Sequence, residues 1–434
     1  MKNFTETNFT NRMARAAVGL AMAAVCSMPV HAETLALVGA TLHPVDAPAV
    51  ENGTLLVRDG RIEALGAAGE LTIPDDATVI ELAGEHLFPG FVHPGSSLGL
   101  TEVSSVAGTV DTTEMGSINA AINAWVAFNH DSMLLPVNIA GGILTTHTIP
   151  SGGLIRGSSA VMNMSGWSWK DMALKAPAGM HVVFPSGAAD DDDNEDLKTI
   201  ESTLDAARHW HQARGAARDG NSRAPEHNDQ LEALGPMLAG DVPMFLYANG
   251  EATINAALDW AEEQGLDNLI LVSGSDAQYV AERLAADGVP VILNGVYSMP
   301  TRRWDAYDQG YVAAATLHEA GVKFAIGDGG GSFGATNARN LPFHAGSAAA
   351  FGLPRDAALK AFTLWPAEIL GVGDQLGSLS EGKRATFFVA TGDALEPRTR
   401  ISRVWIDGEE YDLSRNRHRE LYERYRDRIA ESGD

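Results

Sequence analysis

Between residues 89 and 376, short apolar runs alternate with helix-length polar stretches. This alternation constrains the fold more than any other feature of the chain. Residues 242–248, 268–273, 289–293 and 322–327 are each apolar through most of their length. Helical patterns at 254–263, 277–286 and 311–320 separate them, and 195–218, 342–351 and 355–364 read as further helices. Strands that are apolar on both faces, each followed by a helix, imply a parallel sheet covered on both sides. A chain of 434 residues is too long for one small core. A TIM-type barrel of roughly 250 residues plus a smaller domain is the expectation.

The flanks supply the smaller domain. Residues 34–39, 53–58, 61–66 and 77–82 read as short strands, with Asp59-Gly60 as a hairpin turn. Near the other end, 385–390 and 403–407 read as strands, with Asp407-Gly408 as a second turn. Neither set can bury a core alone. The expected organisation is therefore a composite β domain from 33–88 and 377–412, a barrel at 89–376 inserted between its halves, and a C-terminal helix at 413–434.

Residues 1–32 have the pattern of a secretory signal peptide. Lys2, Arg12 and Arg15 precede an apolar segment at 16–26, and Val30-His31-Ala32 forms a small-x-small cleavage site before Glu33. The apolar segment is too short for a stable bilayer span, so a periplasmic or secreted protein is expected. The single cysteine, Cys26, lies inside this segment, which leaves a mature protein without disulfide or thiol nucleophile. The net charge of −25 argues against nucleic acid or an anionic membrane as partner.

Several stretches together resemble the amidohydrolase superfamily, in particular its imidazolonepropionase-like, periplasmic branch. Phe88-Pro89-Gly90-Phe91-Val92 is similar to the first barrel strand. Residues 151–160 and Ser165-Gly166-Trp167 resemble a segment of the periplasmic relatives. Residues 320–327 resemble the last barrel strand, and 363–371, Leu376-Gly377-Ser378 and Glu381-Gly382-Lys383 the closing helix and return to the β domain. The resemblance implies a hydrolase acting on non-peptide C–N bonds, such as those of cyclic amides. It also implies a divalent metal, zinc, that lowers the pKa of a bound water. The residues themselves assign no cofactor and no metal ligand.

The ligand positions depart from the family pattern. After the first strand the family carries a His-x-His pair; here Gly95 and Ser97 stand there, with His93 two residues earlier. Tyr247 occupies the strand-five histidine position and Ser273 the strand-six one. After strand eight, Asp328 falls one residue before the usual aspartate position, which is Gly329. Strand alternation turns such an aspartate to the opposite face unless the loop bends. His93 and Asp328 are the candidate catalytic residues, and His147, Tyr247, Ser97 and Ser273 the candidate substrate contacts. His181 is expected on the face away from the mouth, and His318 and His344 outside the barrel. The run 327–334 is glycine-rich but lacks the following Lys-Ser/Thr of a nucleotide loop. Two functions follow: an exported amidohydrolase-like hydrolase with an unusual site, or a catalytically silent barrel. The silent barrel would bind a small-molecule ligand or pair, as a homo-oligomer or with an active homologous subunit.

Overall fold

The computed structural model describes residues 34–191, 193–328 and 334–432. Residues 1–32, expected from the sequence to be a signal peptide, lie outside them. Two sheets organise the chain. The first holds β1 (Thr34–Leu42), β2 (Val50–Arg58), β3 (Arg61–Ala67), β4 (Thr78–Glu81) and β5 (His86–Pro89). It also holds β14 (Phe387–Ala390), β15 (Ile401–Ile406) and β16 (Glu409–Glu410) from the far end of the chain. Their order is β16-β15-β14-β5-β1-β2-β3, with β4 beside β1. Phe88 of β5 pairs antiparallel with Phe388 of β14, so the two chain ends share one sheet.

The two Asp-Gly turns join these halves. Asp59 and Gly60 both have positive φ, 51° and 73°, and so do Asp407 and Gly408, 54° and 86°. Both are two-residue turns of the kind whose twist matches the flanking strands. They meet each other. A Cβ on Gly60 would lie 2.5 Å from the Asp407 carbonyl oxygen. Ala385 N donates to Gly60 O at 2.8 Å, and Gly408 N donates to Ala385 O at 2.9 Å. Leu37, Leu55, Ile62, Leu87, Phe387 and Trp405 pack as this domain's own core.

The second sheet is the barrel. It runs in order through β6 (Phe91–Ser96), β7 (Ile143–Thr148), β8 (Ile155–Asn163), β9 (Ala173–Val183), β10 (Met244–Tyr247), β11 (Leu269–Ser273), β12 (Val291–Leu293) and β13 (Phe324–Ile326). β13 lies beside β6, so the sheet nearly closes on itself. The expectation of a uniformly parallel sheet is corrected at one strand: β8 runs antiparallel to both β7 and β9. A short turn, not a helix, connects β7 to β8. The Gly- and Ser-containing segment that forms β8 lacks the β-branched alternation that marks a strand, yet Ser158 to Asn163 are all buried.

Alternation sets which residues face the barrel interior. Val92, Val161, Phe245, Ile270, Val272 and Ile292 pack together inside it. Phe91, Leu271, Leu293, Phe324 and Ile326 face the other way, into the layer between the barrel and its helices. Gly179 makes the interior possible: a Cβ there would sit 2.4 Å from the Phe245 ring. No helix of the described residues is long and apolar enough to cross a membrane.

Candidate functional site

At the C-terminal ends of the barrel strands a cavity of about 180 Å³ opens, lined by Gly95, His147, Arg156, His181, Tyr247 and Asn294 among others. This is the end of a barrel at which loops carry chemistry. Its polar side chains come from β7, β8, β9 and β10, with Ser151 from the β7–β8 turn and Asn294 just after β12, above the apolar layer formed by Phe245, Val272 and Ile292.

His147 is fully buried at the end of β7 and held on both sides. Nδ1 lies 2.8 Å from the Pro94 carbonyl oxygen and Nε2 lies 2.7 Å from Ser159 Oγ. A carbonyl only accepts, so Nδ1 carries the proton and Nε2 accepts from the Ser159 hydroxyl. Burial lowers the imidazole pKa to about 4, against the opposing pull of the Pro94 carbonyl. His147 is therefore neutral at physiological pH.

His181 and Tyr247 form the second pair, 2.9 Å apart between Nδ1 and the phenol oxygen. The sequence expectation for His181 is corrected: it lies within β9, faces inward and lines the cavity. Its ring stacks on Phe245 at 4.6 Å, and His147 tilts over the same ring at 4.7 Å. Burial first, then the neighbouring His147 and Arg156, hold the His181 pKa well below its ordinary value. Burial likewise pushes the Tyr247 phenol up to about 12, with Arg156 opposing. The Arg156 guanidinium lies over the Tyr247 ring, 4.2 Å from its centroid. Arg156 can only donate, so the phenol oxygen accepts on that side and gives its own proton to His181 Nδ1. The remaining His181 nitrogen, Nε2, then carries a proton. It is buried and has no hydrogen-bond partner among the described residues, and the same is true of Arg156 Nε.

The structure brings His93 and Asp328 together, but not in the cavity. His93 Nε2 lies 3.4 Å from Asp328 Oδ2, and both side chains are buried. Gly95 N donates to His93 Nδ1 at 3.3 Å, which leaves the ring proton on the nitrogen facing Asp328. Val92 faces the barrel interior, so His93 faces the helix layer. Asp328 follows Phe324 and Ile326 on that same outward face. Helix Leu341–Ala350 closes the arrangement. Its buried His344 accepts from Val296 N at 3.3 Å through Nδ1. Burial lowers the His344 pKa to about 4, with nearby Asp328 opposing. His344 is on a helix outside the strands, yet it packs on this pair; sequence spacing gave no sign of that contact.

Neither Ser97 nor Ser273 lines the cavity. The Ser97 carbonyl accepts from Leu100 N and Thr101 N in a turn. Ser273 Oγ donates to Asn249 Oδ1 at 3.3 Å; Val272, its neighbour, is the residue that faces in.

These placements test whether the mouth suits the family's metal. A divalent metal of this kind needs several imidazole or carboxylate donors around one point. Gly95 faces the cavity with room for a Cβ, whose nearest contact would be Ile149 at 3.4 Å, but glycine has no donor. His147 has both nitrogens engaged, Tyr247 is a protonated phenol, Asp328 faces away, and His181 Nε2 is a single imidazole nitrogen with no second donor beside it among the described residues. The undescribed residues 329–333 are Gly, Gly, Gly, Ser and Phe, which add no imidazole or carboxylate. The donors at the mouth therefore do not fit the metal. Among the described residues, His227, Asp229 and Glu232 form a three-donor cluster, but all three are exposed and none lines the cavity.

The model of the amidohydrolase family matches residues 250–411. The crystal structure of an amidohydrolase from Thermotoga maritima MSB8 superposes with a TM-score of 0.79 at 24% identity, over 87% of this chain and 99% of that one. An adenosine deaminase from Xanthomonas campestris, with bound zinc, gives 0.52 at 18% identity, over 91% and 98%. Phenylurea hydrolase B gives 0.52 at 16% identity, over 88% and 97%. Among curated proteins, amidohydrolase tasK of Hapsidospora irregularis is 38% identical over 72 residues. That match spans 17% of this chain and only 7% of the relative. Residues 250–411 thus match the amidohydrolase family model, and the fold of the chain is the one these solved structures share.

Proposed function

We propose that the barrel mouth of this exported protein binds a small molecule with a non-peptide C–N bond, a cyclic amide or close relative, without a metal-activated water. The observation that carries this reading is a set of neutral groups at the cavity, most of whose polar atoms are already engaged. His147 is held by Pro94 O and Ser159, and Tyr247, at the position where the resemblance expects a histidine ligand, is bonded to His181 Nδ1. Such a wall can orient a polar ligand by hydrogen bonds. It offers no anionic or imidazole donor set to activate water. The protein then acts as a catalytically silent binder, alone or beside an active homologous subunit.

One contact favours a second reading, hydrolysis without metal. The Ser159 hydroxyl donates to His147 Nε2, the order a serine nucleophile and its base require. Two features weigh against it. With a pKa of about 4, His147 is a weak base at neutral pH, and Ser159 does not line the cavity.

Metal analysis of protein produced with zinc and manganese supplied tests the proposal. The expected result is substoichiometric metal, no thermal stabilisation by added zinc, and no turnover of cyclic amides. One equivalent of a transition metal whose removal by chelator destabilises the protein would overturn it. Export is tested separately: the N-terminus of protein recovered outside the cytoplasm is expected at Glu33.

A further inference from the structure

In a chain of net charge −25, the described residues that line the cavity at the barrel mouth include a single charged side chain, and that side chain is cationic. Arg156 is that residue; the lining includes no aspartate or glutamate. Among the described residues no carboxylate pairs with Arg156, although arginines elsewhere at the surface find acidic partners readily, Arg302 with Asp276 at 2.6 Å and Arg403 with Glu410 at 2.7 Å. Its guanidinium is held in place on the Tyr247 ring rather than by a counter-ion. Beside it, buried His181 presents an Nε2 without a protein partner, and Arg156 Nε is buried in the same condition. Buried donors of this kind are costly unless something accepts from them.

We infer that the barrel-mouth cavity recognises a carboxylate on its ligand, with Arg156 supplying the charge and His181 Nε2 a second donor. The inference rests on the proposed function and narrows its ligand class to a small acid that also carries an amide. The wall explains the preference. The neutral, proton-bearing groups donate, and the one ion is a guanidinium, whose planar fork suits a carboxylate. A cation would meet Arg156 with nothing to offset the repulsion. Size sets a second limit. At 180 Å³ the cavity is smaller than the roughly 300 Å³ at which pockets for drug-sized ligands begin. It holds the volume of about six waters, enough for a single five-membered ring with one substituent. Neither Arg156 nor His181 matches a family ligand position. They come from β8, the antiparallel strand, and from β9.

Three probes separate the outcomes: pyroglutamate, its uncharged carboxamide, and γ-butyrolactam, which lacks the substituent. Thermal stabilisation of the full chain is read in a carboxylate-free buffer, since a ligand that binds the native state raises the midpoint with its concentration. Pyroglutamate is expected to bind at least about tenfold more tightly than either neutral probe. Arg156→Met should erase that difference, and Arg156→Lys should retain part of it. His181→Gln, whose amide can donate in place of the imidazole, serves as the milder variant should Arg156→Met lower stability. Equal affinity for the acid and the lactam would overturn the carboxylate inference and leave the proposed function standing. Failure of all three to stabilise the protein would overturn both.

Discussion

Three buried histidines make this barrel acid-sensitive in a way that can be calculated. Burial keeps His147 and His344 neutral in the folded protein down to about pH 4, against 6.5 for a solvated imidazole. His181 is likewise held well below its ordinary value, by burial first. Between pH 6.5 and 4 the unfolded chain binds these protons and the folded chain does not. Stability is therefore complete above pH 6.5 and declines as pH falls toward 4. For His147 and His344 the difference corresponds to about 3 kcal/mol each. Each group that differs by a whole proton contributes a slope of about 1.4 kcal/mol per pH unit; with His43 of the β domain, which burial also lowers to about 4, four such groups give about 5.5. Ordinary carboxylates contribute little above about pH 5, so urea unfolding between about pH 7.5 and pH 5 isolates the effect. The midpoint should fall steeply over the lower half of that range, with the slope against denaturant unchanged. His344→Gln, which removes one such group, should reduce the pH dependence by about a quarter. A stability that stays flat from pH 7 to 5 would refute the reasoning, because it would mean that these imidazoles already carry protons in the folded state.

Other substitutions test the architecture. Gly60→Ala should cost more than about 2 kcal/mol by urea unfolding, since its Cβ would meet the Asp407 carbonyl at 2.5 Å. Gly69→Ala, also at positive φ but with nothing within 4 Å, should cost only about 1 kcal/mol. Equal losses would mean that the two turns do not lock the domain halves together. Phe245→Ala should cost about 3–5 kcal/mol by the same assay, because the ring is fully buried between His147 and His181. Asp328→Asn should lower stability by about 1–3 kcal/mol without changing affinity for a small acid at the mouth. A selective loss of binding would instead place Asp328 in the site.

Much of this protein is legible in its sequence. Strands apolar on both faces, each followed by a helix, can be buried only in a sheet covered on both sides, and that periodicity predicts the barrel. The Asp-Gly turns at residues 59–60 and 407–408 mark hairpins because positive φ is cheap for those residues. The displacement of Asp328 by one position is readable too, since alternation fixes the face toward which a strand-end side chain turns. What the sequence could not supply is contact between residues distant along the chain. Only the folded barrel brings His344 from its helix against His93 and Asp328, or sets Arg156 of an unexpected antiparallel strand over Tyr247. Side-chain type and local period are properties of a segment. The burial that keeps three imidazoles neutral, and that leaves one guanidinium facing a cavity without a counter-ion, is a property of how the segments close around one another.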